Sequence, residues 1–269
     1  MVLHFPAPLG RASRAALVIA HPGHELRLHG WLETVLPDVI VLTDGSGSSG
    51  RPRLASTAGL LCQVGAHLLN PTDALPDAEL YDVMLRGDVD RVRALTAALA
   101  DALDRAAVDY VVADAAEAFN PAHDLCRAMV DAAVGLLRRR GRRLASFEFP
   151  LEGPPDACPV EDRTCAVWMH LDDADLERKV RAARAYVGLE AEVEQALREP
   201  GVEAFRTECL RPISAAPAAG GPPAYEAHGC ARVAAGRYRN VLRAEHLASL
   251  VAALARFAEE CPPCVPCAS

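Results

Sequence analysis

A chain of 269 residues, 51% hydrophobic and 24% charged, has the composition of a soluble globular protein with room for one sizeable core. Its formal net charge of −8 excludes the basic face that nucleic-acid binding requires. No apolar stretch reaches the roughly 20 residues of a membrane span, and residues 1–14 lack the apolar segment of a secretion signal. A cytoplasmic protein is therefore expected, with a small-molecule substrate, no nucleic-acid or membrane partner, and a homo-oligomer left open.

The first predicted strand is the short apolar run Ala16–Ala20, which ends at the turn His21-Pro22-Gly23-His24-Glu25. A buried strand stopping at two imidazoles three positions apart brings nitrogen donors to the edge of a sheet. A second strand, Val39–Thr43, runs into the polar turn Asp44–Gly50. That turn reads as a flexible loop or a weak anion cradle, because it lacks the lysine of a nucleotide-binding loop.

Val89, Val92, Leu95, Leu99 and Leu103 fall on one face of a helix with Asp88 near its start. A third strand, Tyr110–Ala113, leads into the turn Asp114–Asp124. After it, Leu125, Met129, Ala132/Ala133 and Leu136/Leu137 form another helical stripe, ended by Gly141. The basic run Arg138–Arg143 reads as the solvated end of that helix, where cations suit the dipole. Leu144–Phe149 is the fourth strand candidate. Strands alternating with helices predict an α/β fold with a parallel sheet covered on both faces, and the three polar turns then open on its carboxyl edge.

The second half begins at the break Pro154-Pro155. Asp172–Arg198 reads as one long charged helix, Pro212–Pro223 as a loop and Asn240–Glu259 as a last amphipathic helix. The chain is taken as a single domain over residues 1–255, elaborated from about residue 151. Six cysteines (62, 126, 158, 165, 209 and 230) are expected as buried thiols. Cys261, Cys264 and Cys267 have zinc-like spacing but only three sulfurs among prolines, so residues 256–269 read as a flexible tail.

The third turn carries Glu117-Ala-Phe-Asn120-Pro-Ala-His123-Asp124, which places His123 near a helix start on the same edge as His21 and His24. Three neutral imidazoles around a divalent ion leave a fourth position for water, whose pKa falls to about 7 in catalytic zinc sites. Zn2+ or another divalent transition metal is the expected cofactor. Glu25, Asp44, Glu117 and Asp124 supply carboxylates for orientation or proton transfer, and Asp124 equally reads as a helix cap.

The segments Ala20-His-Pro-Gly-His-Glu25, Leu42-Thr-Asp-Gly45 and Asn120-Pro-Ala-His123 resemble, in order and setting, those of the PIG-L/LmbE-like N-acetylglucosaminyl deacetylases. Tyr225–Gly229 and Gly236–Arg243 also resemble C-terminal segments of that family, and the likeness spans roughly residues 15 to 255. It implies a Rossmann-like three-layer sandwich with a mostly parallel sheet and an elaborated C-terminal part. It also implies zinc ligands at His21, at His24 where the family has aspartate, and at His123. The family's general base maps to Gly23, and the histidine that stabilises the oxyanion or protonates the leaving amine maps to Asn120. Both proton-handling groups are thus replaced. Asn120 keeps the capacity to donate a hydrogen bond to an oxyanion.

The function expected on this basis is metal-dependent hydrolysis of an amide, with N-deacylation of a small polar or sugar-like metabolite as its form. Glu117 is the first choice for the relocated base, followed by Glu25 and Asp44, while Asp124 orients a ligand or caps its helix. Losing a base typically costs on the order of 100- to 10,000-fold, so a replacement is required. Two alternatives stand beside this reading: a metal-dependent group-transfer or lyase enzyme of specialised metabolism, and a non-catalytic metal- or ligand-binding member of the family.

Overall fold

The computed structural model describes residues 1–47, 50–70, 72–213 and 221–260. Eight strands form one mixed sheet in the order β1-β7-β8-β6-β5-β2-β3-β4. The strands are β1 (Val2–His4), β2 (Ala15–Ile19), β3 (Asp38–Val41), β4 (His67–Leu68), β5 (Tyr110–Asp114), β6 (Ala145–Phe149), β7 (Val167–His170) and β8 (Thr207–Pro212). From β4 through β3, β2 and β5 to β6 every pairing is parallel, and β8, β7 and β1 extend the sheet antiparallel. The four strands read from the sequence are β2, β3, β5 and β6, consecutive neighbours in this parallel portion. The four not read there are the two-residue β4 and the three antiparallel strands β1, β7 and β8.

Around the sheet lie α1 (His29–Val35), α2 (Leu54–Val64), α3 (Asp77–Arg86), α4 (Val89–Arg105), α5 (Pro121–Arg139), α6 (Asp173–Arg184), α7 (Glu190–Arg198), α8 (Ala224–Ala234) and α9 (Ala244–Glu260). The alternation of β2 shows why the sheet is sandwiched. Ala16 and Val18 enter one apolar cluster with the buried faces of α4, α5 and α9, whereas Ala15, Leu17 and Ile19 enter another with Trp31, Leu61 and Leu176. A strand buried on both faces reads as an unbroken apolar run, which is the pattern of Ala15–Ile19. Asp88 caps α4 by accepting from Arg91 N at 3.0 Å.

Three sequence expectations need correction. Asp172–Arg198 is two helices. Asp172 starts α6 with a reciprocal capping box to Asp175, but the chain turns at Gly188 (φ +91°) before α7. Helical periodicity on both sides of a single glycine conceals such a break. Of the six isolated cysteines only Cys126 and Cys209 are buried. Cys62, Cys165 and Cys230 are exposed: α2 and α8 turn the first and last away from the core, and Cys165 lies in the turn before β7. Finally, α5 begins at Pro121 under an Asn120 cap, so Asp124 is not its capping residue. Its Oδ1 instead accepts from Glu117 N and Ala118 N at 3.0 and 3.2 Å, tying down the preceding turn. The residues 261–269, including the three tail cysteines, lie outside those described.

Candidate functional site

In the parallel portion β3 lies to one side of β2 and β5 to the other. Chain connections leaving in opposite directions open a crevice at the carboxyl ends of β2 and β5, the place where such sheets bind ligands. His21 and His24 follow β2, and His123 lies in the first turn of α5, the helix after β5. Their ring centroids are 5.4 Å (His21–His24), 5.3 Å (His21–His123) and 4.6 Å (His24–His123) apart, each pair meeting edge to face.

Hydrogen bonds fix two of the rings. Thr43 Oγ1 donates to Ala20 O at 2.9 Å, so toward His21 Nδ1, 2.7 Å away, it accepts. Asp77 Oδ1 is a second acceptor for that nitrogen at 3.2 Å. His24 Nδ1 donates to Asp114 Oδ2 at 2.9 Å, and the same oxygen accepts from Ala20 N at 2.7 Å. Both rings therefore carry a proton on Nδ1, which leaves Nε2 as the nitrogen available to a ligand, the arrangement found in metal-ligating histidines. Burial pushes the Asp77 carboxyl up. The hydrogen bond that Asp77 accepts from His21, with the one from Gly47 N–H, outweighs burial and holds it down at about 2. His123 is held neutral. Burial first, and then its two imidazole neighbours, push its pKa well below the usual histidine range.

Among the described residues no group of three or more His, Cys, Asp or Glu side chains is placed so that it could hold a metal ion. By donor type, imidazole nitrogens suit a divalent transition ion, and the three rings are near neighbours, with centroids 4.6 to 5.4 Å apart. Imidazoles whose Nδ1 atoms are anchored by hydrogen bonds are the donors such an ion selects.

The expected proton-handling residues are less united. Asn120 lines the same cavity as the three histidines, while Glu25, Asp44, Glu117 and Asp124 do not. Glu25 is wholly buried, its Oε2 accepting from Gly23 N at 2.7 Å, and burial raises its pKa. Asp44 Oδ1 accepts from Ser46 N at 2.8 Å within its own turn. Glu117 Oε2 accepts from Leu151 N and Glu152 N at 2.9 and 3.0 Å, and burial raises its pKa. Burial also raises the pKa of Asp124. Asn120 Oδ1 is used by Ala122 N at 2.9 Å, which leaves its amide NH2 as the donor available to a ligand.

Three residues behind the imidazoles, Thr43, Asp77 and Asp114, were not singled out in the sequence. Asp114 had a signal, as the polar end of the strand run Tyr110–Asp114. Asp77 had none, because its role depends on α3 starting beside a turn more than fifty residues upstream. Glu192 of α7 is a carboxylate on the cavity lining. It too was hidden, inside what read as a solvated helix.

No family model and no curated protein matches the chain. Solved structures do. The conserved protein TT1542 from Thermus thermophilus is 21% identical, with a TM-score of 0.50 over 78% of this chain and 100% of its own. The A40926 pseudoaglycone deacetylase Dbv21 is 16% identical, with a TM-score of 0.51 over 74% of this chain and 96% of its own. A triple mutant of a deacetylase of the teicoplanin biosynthetic pathway is 12% identical, with a TM-score of 0.50 over 77% and 100%. The chain shares its fold with deacetylases. No helix among the described residues is long and apolar enough to cross a membrane.

Proposed function

We propose that this protein is a metal-dependent amide hydrolase that removes an N-acyl group from a small polar or sugar-like metabolite. The observation that carries the reading is the trio of imidazoles at the sheet's crevice, two of them anchored through Nδ1 by Thr43, Asp77 and Asp114. The fold shared with two deacetylases supports it, as does the order of the motifs that resemble the PIG-L/LmbE-like family.

His21, His24 and His123 would hold the ion. When bound, a zinc-class ion supplies Lewis acidity toward a carbonyl oxygen and toward water. The remaining work falls to the chain. Asp114 and Asp77 keep two rings in one tautomer and orientation. The Asn120 amide, fixed by its cap at the start of α5, donates to the oxygen on which negative charge develops. Gly23 carries no base, and Glu117 is engaged with the backbone of Leu151 and Glu152. We therefore assign proton removal to Glu192, which lines the cavity.

The test is release of free amine from N-acylated amino sugars and N-acylated amino acids by protein loaded with zinc, nickel or cobalt. Turnover is expected to fall by about 100- to 10,000-fold in Glu192→Gln and to stay within a few-fold in Glu117→Gln. The opposite ranking of those variants returns the base role to Glu117. Absence of release with all three metals overturns the hydrolase reading.

A further inference from the structure

The face of α7 on the cavity that holds the three imidazoles is apolar apart from Glu192. Leu189, Val193, Ala196 and Leu197 recur at the spacing of one helix face, and all line the cavity of about 380 Å3 that contains His21, His24 and His123. Val180 and Phe205 join them on the lining. Two cations there are already engaged. Lys179 Nζ donates to Arg27 O at 2.7 Å and to Glu208 Oε1 at 2.8 Å, while the Arg27 guanidinium donates to Leu151 O and Gly153 O. Each packs its charged end near the Phe205 ring. Both charged ends are thus occupied by acceptors of the chain itself. Arg53 and Glu192 are the other charged groups on the lining.

A second cavity, of about 290 Å3, shares Asn120 with the first. Its walls carry Tyr81, Phe119, Tyr225 and Tyr238 with the polar His228 and Asn240. Two dissimilar cavities meeting at one oxyanion-donor candidate divide an amide substrate into two parts. The polar, amine-bearing part finds hydrogen-bonding partners and aromatic faces in the second cavity. A wall of aliphatic side chains rewards only apolar area and penalises unpaired polar groups.

We infer that the acyl group removed here is an unbranched apolar chain of several methylenes, longer than acetyl, seated against α7. The inference rests on the amide-hydrolase reading above. Water adds across the amide C–N bond: its oxygen goes to the acyl carbon, giving the carboxylic acid, and the departing amine takes up the proton. The acid product keeps the chain, so it reports the wall directly and without turnover.

The experiment is calorimetric titration of the metal-free protein with acetate, butanoate, hexanoate and octanoate. In parallel, kcat/KM of the zinc-loaded protein is measured on glucosamines N-acylated with the same four chains. The carboxylate head is constant along the series, so any slope belongs to the chain. Affinity and kcat/KM are expected to rise about fourfold per methylene until the wall is covered. Ala196→Leu, which adds apolar bulk and keeps the helix, should weaken octanoate at least tenfold while leaving butanoate within twofold. Leu197→Asn, checked for a native-like melt, should flatten the series. Affinity that is flat from acetate to octanoate overturns the inference, as does an Ala196→Leu variant with an unchanged chain-length profile. Release of amine with acetyl preferred over every longer chain overturns it while leaving the hydrolase reading standing. A chain-length slope in binding with no amine released from any substrate supports the apolar wall and removes the hydrolase reading.

Discussion

Replacing Gly23 by alanine separates two reasons for having glycine at that position. The backbone there has φ +109°, which a Cβ disfavours by about 1–2 kcal/mol. A Cβ would also collide with Leu189 Cδ1, with Leu189 Cγ at 3.6 Å and Tyr186 Cε1 at 3.7 Å behind it. Overpacking typically costs about 1–3 kcal/mol, and the low end applies because the colliding atom is the end of a side chain that can rotate. The sum is about 2–3 kcal/mol, with the backbone contribution the larger. Urea unfolding of the metal-free Gly23→Ala, Leu189→Ala and double variants measures each part. Gly23→Ala should cost about 2–3 kcal/mol in the native background and about 1–2 kcal/mol beside Leu189→Ala, a coupling of about 1 kcal/mol. A cost below about 0.5 kcal/mol in the native background refutes the strain argument, and an equal cost in both backgrounds refutes the contact with Leu189.

Asp114→Asn keeps an oxygen for His24 Nδ1 and Ala20 N but removes the charge. The apo protein should lose about 1–2 kcal/mol and zinc affinity should fall about 10- to 100-fold, read by chelator competition. Unchanged affinity would remove His24 from the ligand set or Asp114 from its support. Lys179→Met strands the carboxylate of Glu208, which is 1% exposed and otherwise bonded to Gly30 N and Trp31 N at 2.9 and 2.8 Å. Those two remaining donors keep the cost near the lower end of the about 3–5 kcal/mol typical of a broken buried pair. Adding Glu208→Gln should recover part of the loss. A Lys179→Met unfolding free energy within about 0.5 kcal/mol of the native value would sink this account.

The parallel core was legible because burial on both faces leaves a mark that is local in sequence. Ala15–Ile19, Val39–Val41 and Tyr110–Ala113 are runs with no polar interruption, and their ends announce the polar turns. The three histidines were legible for the same reason, since each sits where such a run, or the helix after it, meets a turn. What supports the rings was not legible. Asp77 reaches His21 across 56 positions and Asp114 reaches His24 across 90, distances over which no spacing rule operates. The break at Gly188 was equally silent, because the sequence on both sides keeps helical periodicity and charge.

That silent break has the larger consequence for chemistry. A Cβ at Gly188 would meet Arg53 Cδ at 2.8 Å and Cγ at 3.2 Å, so glycine there supplies both the turn and the close approach of the chain to the site. Through it α7 folds back and sets Leu189 against the backbone of Gly23. Gly23, in the turn that carries His21 and His24, is thus covered by an apolar side chain. An aspartate at residue 23 would need the left-handed backbone and the space that Leu189 occupies, so a side chain there and the apolar wall at α7 compete for one volume. Glu192, one helical turn beyond Leu189 and on the same cavity lining, is the carboxylate that this covering element brings to the cavity, which is why we propose it as the base.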